Sequence, residues 1–528
     1  MLRLEPADVV IVGAGMGGAA FAWRLALQTK GLRIVCLERG GWVSAENFPL
    51  ASLDWQSTGL GRWATSPNLR LAAGGNPLSA DYPIDDSGST IKPLLWCRVG
   101  GSTINWNAHF PRLRPSDFKT KSLDGVGQDW PFPYSALAPW YDLNDEMLGV
   151  SGLNGDPANP ERAPRQFPPL PLGKAGERAA KAFNRLGWHW WPVDAAILTK
   201  ARGRRKPCNN CGPCQFGCMT GAKASTDLIY WPEAINAGVE LRTQQTVTAI
   251  VVEAGHASGV TIREAGGTEA FQPAAHVVVA GNSVGTARLL LASDLSRGAS
   301  DPLGKNLMVH PVSYVRGLFG DSLDGPAGPV GCMIFSHEFA ETDLSRGFAR
   351  GIQLQTGREN MLLVQATRLS PNWGRSAQVA LAEEFRHSLS FMVMTEDLPE
   401  PVNRVRITKE IAPDGLPGVA VDYRVSDSVN AMTNFGIARA AEFFKASGAK
   451  RTVEVRFPPF TGWHLLGTAR MGADPATSVV NARGRMHACP NITIADGSVM
   501  PTVGCVNPTS TIGALALKFG DDLAREMA

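Results

Sequence analysis

The chain has 528 residues, of which 44% are hydrophobic and 56 are glycine. This length is greater than that of a domain with a single hydrophobic core, so it predicts several domains or one two-lobed enzyme. Its 51 lysines and arginines nearly balance its 48 aspartates and glutamates, leaving a net charge of +3. That balance excludes the basic surface that nucleic acid or anionic membranes require, so we expect a small-molecule partner and no nucleic acid.

The N-terminal sequence and the distribution of apolar residues predict the cellular location of the protein. The first predicted strand begins within about eight residues of it, which leaves no room for a secretory signal peptide. No apolar run reaches the roughly 18 residues that a membrane-spanning helix needs. We therefore expect a cytoplasmic chain without a transmembrane segment.

A nucleotide-binding pattern opens the chain. Val9–Val12 is predicted as a buried parallel strand, and Gly13, Gly15 and Gly18 form a G-x-G-x-x-G motif where that strand turns into a helix. The first glycine permits a tight turn, the second lets the backbone approach a pyrophosphate, and the third lets the helix pack closely on the strand. The N-terminus of the helix offers N–H groups to the phosphates.

An acidic residue completes this pattern. A second predicted strand, Arg33–Leu37, leads directly to Glu38. An acid about 20 positions after the last glycine suits a ribose 2′-hydroxyl and repels a 2′-phosphate. The segment therefore predicts a site for an adenosine diphosphate group without that phosphate.

Glycine-rich sequence follows. The passage from Glu38 to about Leu95 has little periodicity and predicts long loops over the nucleotide. The next motif combines two glycines with small hydroxyl residues, which lets a backbone pass close to a flat ring or a phosphate. It comprises Arg98, Gly100, Gly101, Ser102, Thr103 and Asn105. An ordinary glycine turn explains this motif equally well.

Four cysteines form the densest chemical signal. Beyond an extended, proline-rich connector over Asn154–Pro171, they are spaced C-x2-C-x2-C-x3-C at Cys208, Cys211, Cys214 and Cys218. Bacterial ferredoxin segments have this spacing, which favours an iron–sulfur cluster, although Met219 replaces the usual proline. An unmetallated structural knot is the main alternative. Zinc normally takes two separated pairs of ligands, and a disulfide pair needs an oxidising compartment.

The chain then returns to the nucleotide-binding sheet. Four predicted strands precede Gly281, Gly285 and a helix; they are Gly238–Arg242, Thr246–Glu253, Gly259–Arg263 and His276–Ala280. Between His310 and Phe460, alternating segments predict a second, antiparallel lobe that roofs the active site.

Two polar signals lie near the C-terminus. His464 stands among apolar residues and glycines, and Asn507 immediately precedes Pro508 and a predicted helix. Pro508 suits the first position of that helix, whose positive N-terminal end would face a negative group such as a reduced, anionic flavin. For His464, a hydrogen-bonded core histidine is the alternative interpretation.

Together these motifs resemble the glucose-methanol-choline (GMC) family of flavoprotein oxidoreductases over nearly the whole chain. The ordered matches are the glycine motif with Glu38, the first signature at Gly100–Asn105, the second at Ala280–Leu291 apart from Asn282 and Val284, Gly304–Leu307 with His310 and Pro311, Ala495–Gly497, and His464 with Asn507. The resemblance implies an α/β fold with an α+β second lobe. It divides the chain into a Rossmann-like FAD-binding domain (1–155, 225–310 and 461–528), a connector with the cysteine-rich segment (156–224) and an antiparallel-sheet substrate-binding domain (311–460).

The resemblance also assigns roles to residues. His464 is implied as the base that takes the hydroxyl proton while hydride leaves for flavin N5, and Asn507 as the partner that hydrogen-bonds the same hydroxyl. Asn105 stands where family members with tethered flavin carry a histidine, so noncovalent FAD is expected. FAD contacts are implied at Gly13, Gly15, Gly18, Glu38, Arg98, Gly100, Gly101, Ser102, Asn105, Val247, Asp496, Gly497, Pro508 and Thr509.

The implied function is FAD-dependent oxidation of an alcohol group to a carbonyl, in a sugar, glycoside, polyol or other alcohol, with electrons passed to an acceptor other than NAD. One alternative is an oxygen-using GMC oxidase that produces hydrogen peroxide. The other is a non-enzymatic flavin electron-transfer module, and the retention of both His464 and Asn507 argues against it.

The cysteine segment is most similar to that of the flavoprotein subunits of bacterial FAD-dependent sugar dehydrogenases and gluconate 2-dehydrogenase. Those subunits hold a 3Fe-4S cluster and pass electrons to a cytochrome, whereas long-chain alcohol oxidases of the same family have cysteine-rich segments without an established cluster. The resemblance implies that Cys208, Cys214 and Cys218 ligate iron, with Cys211 spare or completing a 4Fe-4S cluster. It further implies a small subunit and a cytochrome as partners, a dehydrogenase rather than an oxidase, and a periplasmic location if the chain is exported with that subunit.

Overall fold

The computed structural model of the chain describes residues 1–43, 83–212, 214–264, 266–298, 300–323, 328–329, 331–358, 374–376, 379, 384, 386–459 and 461–528. Its strands are β1 (Leu2–Arg3), β2 (Ala7–Val12), β3 (Ile34–Glu38), β4 (Ile84–Asp85), β5 (Trp191–Pro192), β6 (Glu240–Thr243), β7 (Gln245–Glu253), β8 (His256–Glu264), β9 (Glu269–Val279), β10 (Val312–Leu318), β11 (Cys332–Ser336), β12 (Ile352–Gly357), β13 (Ser388–Thr395), β14 (Arg404–Ile411), β15 (Pro417–Asp422), β16 (Arg451–Arg456) and β17 (Ile492–Ile494). Its α-helices are α1 (Met16–Gln28), α2 (Thr120–Asp124), α3 (Tyr134–Leu148), α4 (Gly173–Leu186), α5 (Tyr230–Asn236), α6 (Asn282–Ala292), α7 (Asp427–Ser447) and α8 (Thr509–Met527). Most of the passage predicted as long loops over the nucleotide lies outside the described residues.

The larger sheet carries the nucleotide-binding pattern. Its strand order is β6-β3-β2-β9-β8-β7, and β1 and β17 also pair with β9. Strand β2 lies between β3 and β9 in parallel register, with Val10 opposite both Val35 and Val277, and all three side chains are fully buried. Burial on both faces explains the continuous apolar run of β2. The predicted Rossmann-like sheet is confirmed, and each predicted strand overlaps an observed one.

The glycine motif sets how closely helix α1 approaches this sheet. Gly13 has a φ of +102°, and a Cβ there would lie 2.5 Å from the carbonyl oxygen of Ala280. A Cβ at Gly18 would lie 2.0 Å from the carbonyl oxygen of Gly13. A side chain at either position would push the loop away from the sheet. On its other side α1 packs against α8, the C-terminal helix.

The second lobe is built on a six-stranded antiparallel sheet with the order β16-β10-β13-β12-β11-β5. Helices α4 and α7 cover one face of it, where the ring centroid of Phe443 lies 4.9 Å from that of Phe183 and 4.5 Å from that of Phe391. The predicted antiparallel lobe is confirmed. The structure adds helix α4 to this core, although the helix lies in the segment that the sequence analysis treats as a connector.

A three-stranded sheet, β14-β15-β4, packs against helix α6 of the nucleotide-binding lobe. Its buried residues Val405 and Val419 belong to the same apolar cluster as Val284 and Ala287 of helix α6. The alternating segment that begins at Arg404 was predicted as part of the second lobe, but it forms this separate sheet because its apolar residues pack on helix α6. Among the described helices, none is both long and apolar enough to cross a membrane.

Candidate active site

A cavity of about 870 Å³ lies between the larger sheet and the six-stranded sheet. The glycine loop and the ends of β2 and β3 form one end of it, and strands β10, β12, β13 and β16 form the roof of the other. Most residues that the sequence analysis assigned to the cofactor or the chemistry line this cavity. They are Gly13, Gly15, Glu38, Gly101, Ser102, Asn105, Val247, His464, Asp496, Gly497, Asn507, Pro508 and Thr509.

Three residues that were predicted to contact FAD do not line the cavity. Gly18 lies in the first turn of helix α1, where it packs against the carbonyl of Gly13. The N–H of Gly100 donates to the Ala14 carbonyl at 3.0 Å, which fixes the signature loop to the glycine loop. The Arg98 guanidinium donates to its neighbour's carbonyl, that of Cys97, at 3.1 Å and lies over the Trp96 ring. These residues shape the wall from outside.

The expected nucleotide end has the features that a dinucleotide needs. A Cβ at Gly15 would meet no described atom within 4 Å, so this glycine faces open space in the cavity. Glu38 is buried, and its carboxylate accepts the N–H groups of Ala14 at 2.8 Å and Gly40 at 2.7 Å. Each carboxylate oxygen keeps a second lone pair for a ribose hydroxyl.

Asn105, which lines the cavity, has a side-chain carboxamide without a hydrogen-bond partner among the described residues. Gly101–Ile104 forms a single 3₁₀ turn, and Asn105 follows it. Both polar atoms of the Asn105 side chain are buried and have no hydrogen-bond partner among the described residues. Because buried polar groups are nearly always partnered, these atoms indicate a polar ligand in the cavity.

Asp496 and helix α8 complete the wall. Asp496 accepts hydrogen bonds from the N–H of Ser498 at 2.9 Å and from the hydroxyl of Thr286 at 2.6 Å, and burial raises its pKa. Pro508, predicted as the first residue of the C-terminal helix, is instead the N-cap of α8, which begins at Thr509. The free N–H groups of the first turn therefore begin at Thr509, which lines the cavity.

His464 is oriented by a second histidine. The Nε2 atom of His310 lies 2.9 Å from the Gly504 carbonyl oxygen, and its Nδ1 atom lies 2.9 Å from Nδ1 of His464. A carbonyl only accepts, so we assign the proton of neutral His310 to Nε2. His464 then donates from Nδ1, and its Nε2 atom carries the lone pair.

Burial keeps both rings neutral. It lowers the pKa of His310 to about 4, and together with the neighbouring His310 and His109 it lowers the pKa of His464 well below its usual value. At neutral pH the lone pair of His464 is therefore available to accept a proton.

The carboxamide of Asn507 is also fixed in one orientation. Its Oδ1 accepts a hydrogen bond from Nε2 of Gln355 at 2.9 Å, and its Nδ2 lies 3.5 Å from Nε2 of His464. Gln355 gives its other N–H to Gln353. Asn507 therefore presents its N–H group, not its carbonyl, beside the His464 lone pair.

Sequence reasoning missed His310, Gln355 and His109, a buried histidine that lines the cavity. The pairing of His310 with Pro311 was noted only as a loop match, and that pattern was the available signal. Gln355 lies on a strand of the roof, where a single polar residue carries no local signal of function.

The four clustered cysteines line a separate cavity of about 10 Å³, together with Lys223. The N–H groups of Asn210 and Lys223 point at the sulfur atoms of Cys208 and Cys218, each at 3.4 Å. The Lys223 ammonium donates to the carbonyls of Ile104 at 2.6 Å and Trp106 at 3.1 Å. The cysteine segment is thereby anchored to the backbone that forms the wall of the large cavity.

The four cysteines offer thiol groups as ligands, but their described side chains are not arranged around one point as a site for a single metal ion. In the part of the chain that the structure describes, no three His, Cys, Asp or Glu residues are grouped so that they could hold a metal ion. Zinc requires about four ligands around one point, so the zinc interpretation gains no support. Burial raises the pKa of the Cys208 and Cys211 thiols.

Comparison with known proteins identifies the family. The two GMC oxidoreductase models match residues 178–312 and 399–516, and the model of an NAD(P)-binding Rossmann-like domain matches residues 11–70. The chain is 37% identical to the 2-methyl-1,2-propanediol dehydrogenase of Mycolicibacterium austroafricanum, over 99% of this chain and 96% of that protein. The chain is a GMC oxidoreductase.

This GMC oxidoreductase is also 27% identical to the fructose dehydrogenase large subunit of Gluconobacter japonicus, over 99% of this chain and 98% of that one. Pyridoxine 4-oxidase from Mesorbium loti shares the fold, with a TM-score of 0.67 at 17% identity, covering 98% of this chain and 99% of that chain. The predicted family is confirmed, and the family implies FAD as the cofactor.

Proposed function

We propose that this GMC oxidoreductase oxidises an alcohol group of a small molecule to a carbonyl, with His464 as the base and FAD as the electron acceptor. The observation that carries the proposal is the hydrogen-bond chain from the Gly504 carbonyl through His310 to His464. It leaves the Nε2 atom of a neutral His464 with a free lone pair beside the N–H of Asn507. The orphaned carboxamide of Asn105 and the open space over Gly15 support FAD as the ligand.

The residues of the chain then have separate tasks. Nε2 of His464 takes the hydroxyl proton, while Nδ1 keeps its hydrogen bond to His310. The N–H of Asn507 donates to the substrate oxygen and stabilises the negative charge that develops as the proton leaves. When bound, FAD supplies the hydride acceptor.

We propose that the FAD is held noncovalently. Asn105 occupies the tethering position, and a carboxamide cannot form a bond to the flavin ring. Acid precipitation of the protein is expected to release all of the FAD, and flavin retained in the pellet would contradict this.

The substrate class is tested by product analysis. The FAD-loaded protein is incubated with separate sugars, polyols and aryl alcohols and an artificial electron-accepting dye. A carbonyl product formed in step with dye reduction is expected from at least one class. A protein that binds FAD but oxidises none of them would favour the non-enzymatic electron-transfer module.

For the electron acceptor, we propose a dehydrogenase whose cysteine segment holds a 3Fe-4S or 4Fe-4S cluster and passes electrons to a small subunit and a cytochrome. Support comes from the cysteine spacing, from the two N–H groups directed at sulfur, and from Lys223, which links this segment to the wall of the large cavity. Peptide N–H groups that donate to sulfur are a common feature of iron–sulfur sites. The similarity to a fructose dehydrogenase large subunit supports an assembly with other subunits.

Anaerobically purified protein is expected to contain iron and acid-labile sulfide and to reduce a dye or cytochrome faster than oxygen. Cys218→Ser should lose the iron, whereas Cys211→Ser, the matched control, should keep it if only three cysteines are ligands. Absence of iron together with stoichiometric peroxide during turnover would instead establish the oxidase.

A further inference from the structure

Lys223 follows the four cysteines in the chain, and its side chain is buried. Its ammonium group donates to the carbonyl of Ile104 at 2.6 Å and to that of Trp106 at 3.1 Å. These two residues stand on either side of Asn105, which lines the large cavity. One charged side chain therefore holds the backbone both before and after the residue that faces the expected flavin.

Two further hydrogen bonds join the same parts of the chain. The indole N–H of Trp106 donates to the carbonyl of Ala224 at 2.8 Å, and the backbone N–H of Thr226 donates to the hydroxyl of Thr103 at 3.1 Å. The short turn that leads into Asn105 is therefore held at several points by residues that directly follow the cysteines.

The other end of this link is a cysteine. The backbone N–H of Lys223 donates to the sulfur of Cys218 at 3.4 Å. The backbone and the side chain of one residue thus bond two different sites, the Cys218 sulfur and the turn that carries Asn105. A change at one site that moves Lys223 affects the other site, and a coupling of this kind acts equally in both directions.

The two bonds from the ammonium group are strong ones, because hydrogen bonds from a charged donor are roughly twice as strong as those between neutral groups. Without the ammonium group, the carbonyls of Ile104 and Trp106 would lose these bonds, and the turn would be free to adopt other conformations. FAD would then have to order Asn105 as it binds, which lowers its affinity.

We propose that Lys223 is a positioning residue that holds Asn105 for FAD, so that FAD binding and the chemical state of Cys218 depend on each other. The inference rests on the proposed binding of FAD in the large cavity, and it requires neither an iron–sulfur cluster nor alcohol oxidation. Lys223 does not itself line that cavity, so it acts on the cofactor through Asn105.

The affinity of the full-length protein for FAD tests this role. FAD is titrated into the FAD-free protein, and the quenching of its fluorescence gives the dissociation constant. Lys223→Met, which keeps the length of the side chain but removes the charge, is expected to weaken FAD binding by about fivefold or more. Lys223→Arg, which keeps a charged donor, should restore part of the affinity. Lys206→Met changes an exposed lysine two positions before Cys208 and should bind FAD like the wild type.

A double variant distinguishes positioning from a merely structural role. Lys223→Met combined with Asn105→Ala should bind FAD no more weakly than Asn105→Ala alone, because Lys223 acts through that carboxamide. Losses that add independently would overturn the inference, and so would wild-type affinity in Lys223→Met.

The reverse effect is measured on the wild-type protein, so it does not depend on the folding of a variant. After a chelator has removed any metal, the thiols are alkylated with iodoacetamide, and mass spectrometry follows the modification of each cysteine. Bound FAD is expected to slow the alkylation of Cys218 by about fivefold or more, but not that of the exposed Cys211. Equal rates at Cys218 with and without FAD would overturn the coupling.

The outcome for the proposed function is separate. FAD that binds with this coupling but is reduced by no alcohol would support the inference and contradict only the proposed oxidation. A protein that binds no FAD would overturn both.

Discussion

Replacing His464 with alanine is expected to lower the rate of flavin reduction by about 10² or more, because the group that accepts the hydroxyl proton is lost. In the His310–His464 pair, the other three ring nitrogens take part in hydrogen bonds to each other or to Gly504, so Nε2 of His464 is the nitrogen that can accept the substrate proton. FAD content should not change, since Glu38, Asp496 and the glycine loop lie at other parts of the cavity wall. The rate is measured by rapid anaerobic mixing of the loaded variant with the best alcohol of the panel.

A histidine elsewhere in the C-terminal segment provides the control. His487 bonds the hydroxyl of Ser478 at 2.9 Å and does not line the cavity, so His487→Ala should reduce flavin at the wild-type rate. If His464→Ala lost bound FAD in proportion to its rate, His464 would be a structural residue and the assignment of the base would be wrong.

Asn507→Ala is expected to slow flavin reduction by about 10-fold to 10², a smaller loss than that of His464→Ala. The variant removes the N–H that stabilises the developing alkoxide but leaves the base in place. Asn507→Leu separates the hydrogen bond from the volume, because leucine fills the space of the carboxamide without donating. The same rapid-mixing measurement should give a comparable loss for both variants.

Gln355→Leu offers a related comparison for the orientation of Asn507. Without the Gln355 donor, the Asn507 carboxamide is free to turn its carbonyl toward His464, so this variant should also be slower. An unchanged rate in Asn507→Leu would refute the role of Asn507, whatever Gln355→Leu does.

The parts of the site that the residues predicted without the family resemblance are those set by local chain geometry. The glycine motif and Glu38 lie within one strand-helix-strand unit, so their spacing alone places them together. The start of α8 was predicted one residue too early, at Pro508 instead of Thr509, because a proline with helical φ suits both the N-cap and the first turn. Helix α4 was treated as connector because its core contacts lie on a distant sheet.

The missed residues depend on contacts between distant parts of the chain. His310 and His464 are separated by 154 positions, and Gln355 and Asn507 by 152. Neither pairing has a spacing that a single sequence can reveal, so the protonation state of His464 and the orientation of Asn507 follow only from the folded structure. His109 was missed for a different reason, since nothing in its sequence neighbourhood distinguishes it from an ordinary core histidine.

The central claim is that the chain's own residues activate an alcohol for oxidation by bound FAD. Anaerobic titration of the FAD-loaded protein with a polyol or a sugar tests it most directly, by following the absorbance of oxidised flavin and assaying the product. We expect complete loss of that absorbance and one carbonyl product per FAD, with His464→Ala slower by about 10² or more under the same conditions. FAD that is fully bound yet stays oxidised with every alcohol and sugar of the panel would contradict the account.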